Sequence, residues 1–164
     1  MAAAALWQRR LRQCAGLVHL APPVAHPESS LADIVGALAT DPQSGGVFVT
    51  DAEDRLLGWI PERTLDFDLL VTVLPSDLWR TVGEVDVRDL LRATRARTQT
   101  ARELMRPARM VHPDTELKEA VIAMARGEPR VLALVDDQQR LLGYVTLFDI
   151  LADLLRSRTE PRIP

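Results

Sequence analysis

The chain has 164 residues, 47% of them apolar, with a net charge of −3 and a single cysteine, Cys14. That is enough apolar material for one ordinary domain or two small ones. The weakly acidic balance argues against a nucleic-acid partner gripped through its phosphates, and no apolar run approaches the roughly 18 residues of a membrane span. One cysteine excludes an internal disulfide framework and fits a reducing, cytoplasmic compartment.

Met1 to Pro27 carries Arg9, Arg10 and Arg12 and no acid, the composition of a transit peptide. The favoured alternative is an amphipathic helix over 1–13, with Leu6, Arg10 and Cys14 spaced by four against Trp7, Leu11 and Gly16 on neighbouring rows. Residues 14–70 then hold a helix lined by Leu31, Ile34, Val35 and Leu38, followed by a hairpin of Val47–Thr50 and Leu56–Ile60. Residues 71–99 form a connection longer than the usual handful, expected to be folded: Leu69–Leu74 reads as a strand or buried run, and Val87, Leu90 and Leu91 suggest a helix. Its arginines, Arg92, Arg95 and Arg97, follow Glu84, Asp86 and Asp89 and read as a solvated helix face.

In residues 100–158, Ala108–Val111 is a short strand before His112-Pro113. Asp114 or Thr115 is expected to cap a helix with Leu117, Ala120, Val121 and Met124 on its apolar side, ended by Gly127 and Pro129. Val131–Val135 is a buried strand, Asp136–Gln139 a polar turn, and Leu141–Val145 the returning strand. A last helix runs from about Leu147 to Leu155 with Ile150, Leu151, Leu154 and Leu155 on one face, and 159–164 is a tail.

These elements are written twice. His26-Pro27-Glu28-Ser29-Ser30-Leu31 returns 86 positions on as His112-Pro113-Asp114-Thr115-Glu116-Leu117, and Arg55-Leu56-Leu57-Gly58 returns 85 positions on as Arg140-Leu141-Leu142-Gly143. Such internal repetition fixes the fold class: α/β (α+β), two β-α-β-β-α repeats. A unit of roughly 60 residues buries only about 60% of the surface its unfolded chain exposes, so the copies are expected to pack as one module through their sheets.

The second copy resembles a CBS domain, the module first named in cystathionine beta-synthase. The resemblance is carried by Ala101-Arg102-Glu103-Leu104-Met105, His112-Pro113-Asp114-Thr115, Leu132-Ala133-Leu134-Val135-Asp136 and Leu142-Gly143-Tyr144-Val145-Thr146-Leu147-Phe148-Asp149. Residues 14–70 are similar to the same domain more weakly, mainly through their match to the second copy. The resemblance implies a tandem pair with two clefts that bind adenosine-containing ligands, and commonly a homodimer of such pairs. With no residues left over for a catalytic or transport domain, the chain is expected to be a free-standing pair.

Thr146 and Asp149 match the family's ribose-binding hydroxyl and aspartate, and a carboxylate accepting from vicinal hydroxyls is sound chemistry. The same Thr-x-x-Asp spacing is also a capping box, giving a helix start about 0.5–2 kcal/mol with no ligand at all. The resemblance further implies a base between the copies, lined by Val18, Pro23, Val24, Ser44, Gly45 and Tyr144, each of which reads equally well as core, loop or turn. In the first copy Pro61 and Thr64 stand where Thr146 and Asp149 do, so one competent ribose site is expected and not two. Pro42, Gln43, Gly127 and Glu128 occupy the positions where family members often place phosphate-binding bases; Arg109, Arg126 and Arg130 are the remaining candidates. AMP, ADP, ATP and S-adenosylmethionine therefore all stay open, and no cofactor is required.

Catalysis finds no support: Cys14 lacks an evident base, and His19, His26 and His112 do not stand at metal-ligand spacing. His26 and His112 share a position before proline and so a turn role. The expected function is a regulatory module that senses an adenosyl ligand and signals to an unidentified regulated protein. The alternative is a ligand-free dimerisation scaffold.

Overall fold

The computed structural model describes residues 7–65, 98–126 and 130–159. The first six residues of the expected N-terminal helix, the expected elements within 66–97, the helix-ending Gly127 and Pro129, and the tail beyond Thr159 lie outside the described residues. The chain divides into two compact units, one of residues 23–52 and 57–107, the other of residues 1–22, 53–56 and 108–164. Neither coincides with a sequence copy. Residues 14–22 join the unit built on the second copy, and 100–107 join the unit built on the first.

The first unit carries β1 (Val24–Ala25), α1 (Leu31–Thr40), β2 (Gly46–Thr50), most of β3 (Leu56–Pro61) and α2 (Ala101–Leu104). The strand order is β1-β2-β3, and β1 runs parallel to β2 with Val24 beside Phe48. Its core joins Ala25, Leu31, Ile34, Val47, Val49, Ile60, Leu65, Ala101 and Leu104. Each fully buried leucine or isoleucine contributes roughly 1.5–3 kcal/mol of transfer free energy.

The second unit carries β4 (Met110–Val111), α3 (Leu117–Ala125), β5 (Val131–Val135), β6 (Leu141–Thr146) and α4 (Leu147–Thr159). Its sheet has the order β4-β5-β6, with β4 parallel and β6 antiparallel to β5. Leu11, Cys14 and Leu17 from the chain start pack into its core with Leu117, Ala120, Met124, Leu132, Leu134, Val145 and Ile150. Burial pushes the Cys14 thiol up from its ordinary range, against the pull of the Arg9 charge, so it stays protonated and unreactive at neutral pH.

The lead segments enter these units in matching ways. Leu11 N donates to Thr115 O at 3.0 Å and Arg12 N to Pro113 O at 2.9 Å; Ala101 N donates to Ser29 O at 3.0 Å and Arg102 N to Pro27 O at 2.9 Å. This pairing corrects two expectations. Beyond Trp7, which is helical, the expected helix does not continue to residue 13: the chain forms 3-10 turns at Leu11–Gln13 and Ala15–Leu17, because Arg9 to Arg12 are drawn into extended pairing with 113–117. Thr115 and Asp114 do not cap α3, whose N-cap is Glu116; the first helical amide, Leu117 N, is satisfied instead by Arg9 O at 2.8 Å. Asp114 serves the lead segment, and its hydrogen bond from the Arg10 guanidinium holds its carboxyl below the ordinary range.

His26 and His112 make the same turn. His26 N donates to Ser29 Oγ and His112 N to Thr115 Oγ1, both at 3.0 Å. The two hairpin turns also match: Asp54 and Gln139 both adopt a left-handed φ of 61°. In the second turn Asp136 accepts from the Arg140 and Gln138 amides and from the Arg140 guanidinium, which holds its carboxyl below the ordinary range.

Along α4 the buried line is Leu147, Ile150 and Leu154, while Leu151 and Leu155 turn outward with Phe148. The expected face was therefore rotated. The helix is apolar on more than one side, and only its docking on Val145 and Leu117 selects the line.

Candidate ligand site

The site is built where β6 ends and α4 begins. Thr146 lies opposite Val131 in the β5–β6 register, and Leu147 N donates to Arg130 O at 3.0 Å, so the strand pairing carries directly into the helix. Thr146 N donates to Asp149 Oδ2 and Asp149 N to Thr146 Oγ1, each at 3.2 Å, while the Thr146 hydroxyl donates to the same Oδ2. This is a complete reciprocal cap. The same device starts α1, through Ser30 and Asp33, and its carboxylate half starts α2, where Thr100 N donates to Glu103 Oε2 at 2.8 Å. At α1 the Ser30 hydroxyl holds the Asp33 carboxyl below its ordinary range.

What sets the α4 start apart is His19. Its Nε2 lies 3.1 Å from Asp149 Oδ2, and its ring stacks on Tyr144 with centroids 4.5 Å apart and planes 11° apart. A carboxylate oxygen only accepts, so Nε2 carries the proton. His19 N donates to Tyr144 O at 2.9 Å and Tyr144 N to His19 O at 3.0 Å, which fixes the ring from its backbone. The approach needs Gly143: a Cβ there would lie 2.4 Å from His19 O. The side chains of His19 and Asp149 remain 33% and 28% exposed, so the arrangement is reachable by a ligand.

Val18 joins this group, its Cγ1 against Gly143 and its side chain partly buried on the core. Among the expected phosphate ligands, Arg130 sits at the α4 start and is exposed, Arg126 is exposed at the end of α3, and Arg109 donates to the Ala123 carbonyl, serving the same helix. The other expected base-lining residues belong to the first unit, where each has a structural task. Pro23 is buried and its carbonyl accepts from Phe48 N, and Val24 pairs with Phe48 in the sheet. Ser44 is fully buried with its hydroxyl 2.7 Å from both Asp41 O and Gly46 O, and Gly45 supplies a left-handed φ of 70°.

The equivalent place in the first unit is differently furnished. Trp59 and Arg106 exchange backbone hydrogen bonds at 2.8 Å, as Tyr144 and His19 do, but Pro61 offers no amide and the Thr64 hydroxyl is buried with no partner among the described residues. His19 itself was missed as a site residue. It lies 130 positions from Asp149, and nothing in its local sequence announces the pairing.

A pair of small three-stranded sheets, each with helices and each holding a lead segment beside a strand-to-helix join, defines the class as a tandem α+β module. Residues 101–156 match the CBS domain model. The chain is 32% identical over 107 residues to an uncharacterised protein of Methanopyrus kandleri, covering 65% of this chain and 45% of that one, so it spans less than half of that relative's length. A CBS-domain-containing protein from Thermotoga maritima superposes with a TM-score of 0.66 at 22% identity, over 93% of this chain and 99% of that one. CBSX2, a CBS-pair protein from Arabidopsis thaliana solved in complex with AMP, superposes with a TM-score of 0.65 at 18% identity, over 91% of this chain and 98% of that one.

Proposed function

We propose that the chain is a regulatory binding module that takes an adenosine-containing ligand at the β6–α4 join, with Thr146 and Asp149 holding the ribose. One observation carries this reading. Asp149 Oδ2 receives Thr146 N, the Thr146 hydroxyl and His19 Nε2, whereas no hydrogen bond from the described residues reaches Oδ1. An oriented, partly exposed carboxylate with one open oxygen suits vicinal hydroxyls. Arg130 beside the helix start, with Arg126, would serve a phosphate group, and amides at that helix start favour an anion too. The AMP bound by CBSX2 supports the ligand class. Binding would act by population shift, favouring the arrangement for which the ligand has the higher affinity and so signalling to a regulated protein.

A thermal-shift series with AMP, ADP, ATP and S-adenosylmethionine tests this. Binding confined to the folded state adds about 2.7 kcal/mol at 100 times the dissociation constant, roughly 5–10 °C for a chain of this size. No shift from any of the four at millimolar concentration would leave the ligand-free scaffold reading, for which the Thr146–Asp149 cap alone accounts.

A homodimer is part of the same proposal. Phe148, Leu151 and Leu155 are 74%, 42% and 64% exposed on one line of α4, and exposed apolar lines of this kind mark association surfaces. Sedimentation equilibrium should give twice the chain mass for the wild type and the single chain mass for Phe148→Asp. A monomeric wild type removes this part of the proposal.

A further inference from the structure

We infer that His19 is a positioning residue for the ribose acceptor and that it sets the preference of the site for ribonucleosides over deoxyribonucleosides. The inference rests on the adenosyl reading of the site.

Another reciprocal cap shows what the helix start needs by itself: Ser30 with Asp33 is complete without any histidine. At α4 the cap is equally complete, yet a third residue, brought from the chain start, adds a donor to Oδ2. Its contribution is orientation. A carboxylate held only by the Thr146 groups keeps freedom about χ2, a broad two-fold torsion, and can exchange its two oxygens. With Nε2 at 3.1 Å from Oδ2, and the imidazole plane held by Tyr144 at 11°, the exchange is opposed and Oδ1 is kept as the outward acceptor. The histidine is in turn held by two backbone hydrogen bonds to Tyr144 and by the absence of a side chain at Gly143. A hydroxyl on the ligand then meets a fixed acceptor, and a ligand lacking it leaves that acceptor unpaired, the arrangement that discriminates most strongly against the missing group.

The ring stack and the Nε2 donor separate by substitution. His19→Phe keeps an aromatic ring on Tyr144 and removes the donor; His19→Gln keeps a terminal donor and removes the ring. Calorimetric titration with AMP, 2′-deoxy-AMP and 3′-deoxy-AMP gives the readout as a ratio of affinities, which a merely structural role would leave unchanged. The wild type should prefer AMP over its weaker deoxy analogue by about tenfold or more, the scale of one hydrogen bond to a charged group. His19→Phe should bring that ratio below about threefold, and His19→Gln should restore most of it. Unfolding midpoints of both variants report whether the fold persists.

Equal losses of affinity for all three nucleotides in His19→Phe would overturn the inference and make His19 a wall of the site. A His19→Gln ratio no better than that of His19→Phe would overturn it as well. Failure of the wild type to bind AMP while a non-ribose ligand shifts its midpoint would instead remove the adenosyl reading beneath it.

Discussion

Gly143→Ala is expected to destabilise the second unit by about 1–3 kcal/mol, the cost of forcing an extra carbon into a packed place. The new Cβ would stand 2.4 Å from His19 O, 3.2 Å from His19 C and 3.2 Å from Val18 Cγ1. The first two are backbone atoms and cannot rotate away. Relief requires the His19–Tyr144 backbone pairing to open, and the imidazole then leaves both Tyr144 and Asp149. Stability and any ligand response should therefore fall together. Gly58→Ala is the informative comparison, since its Cβ would meet Arg106 O and Met105 Sδ, each at 2.9 Å, a looser contact whose thioether partner bends easily. It should cost less than Gly143→Ala. Gly16→Ala, with nothing within 4 Å, should stay within about 0.5 kcal/mol of the wild type. Urea unfolding of the three variants supplies the ranking, and an unchanged midpoint for Gly143→Ala would refute the close approach of the two backbones.

Gly143 also marks where the sequence stopped being legible. The strands and helices are signalled by local period: Val131–Val135 as a continuous apolar run and Leu117, Ala120 and Met124 at helical spacing all form as expected. The lead segments are not signalled, because their partners lie far along the chain. Leu11 and Cys14 carry a spacing that fits a helical face, yet they are buried by 3-10 turns whose neighbours satisfy backbone groups near residue 115. A periodic pattern shows that a residue turns inward, but not which element it meets. The rotated face of α4 has the same cause, since Leu151 and Leu155 are as apolar as Ile150 and Leu154 and only packing ranks them. At the site, the cap of Thr146 and Asp149 is legible because it is local, two residues three positions apart at a strand-to-helix join. Ser44 shows the opposite case: a small polar residue before a strand suits a ligand wall on paper, while its buried hydroxyl is spent on the Asp41 and Gly46 carbonyls.

Asp149→Asn is expected to weaken adenosyl binding more than tenfold while lowering stability by no more than about 1 kcal/mol. The asymmetry follows from the number of acceptors. The aspartate offers two oxygens, of which Oδ2 takes Thr146 N, the Thr146 hydroxyl and His19 Nε2. Asparagine offers one oxygen and one NH2 group. Its oxygen has to stay on the Thr146 side to keep the Thr146 amide and hydroxyl paired, so the NH2 group faces outward. A donor now stands where the ribose hydroxyls need an acceptor, and the charge that strengthened their hydrogen bonds is gone. Asp149→Ala separates the two roles from the other direction. It removes the carboxylate's half of the cap, leaving the backbone N of residue 149 on Thr146 Oγ1, and should cost about 0.5–1.5 kcal/mol in addition to the ligand response. Calorimetric titration and urea unfolding on the same samples read both quantities. If Asp149→Asn binds AMP as the wild type does, the ribose site lies elsewhere; if it loses stability as heavily as Asp149→Ala, the carboxylate serves the helix and the scaffold reading stands.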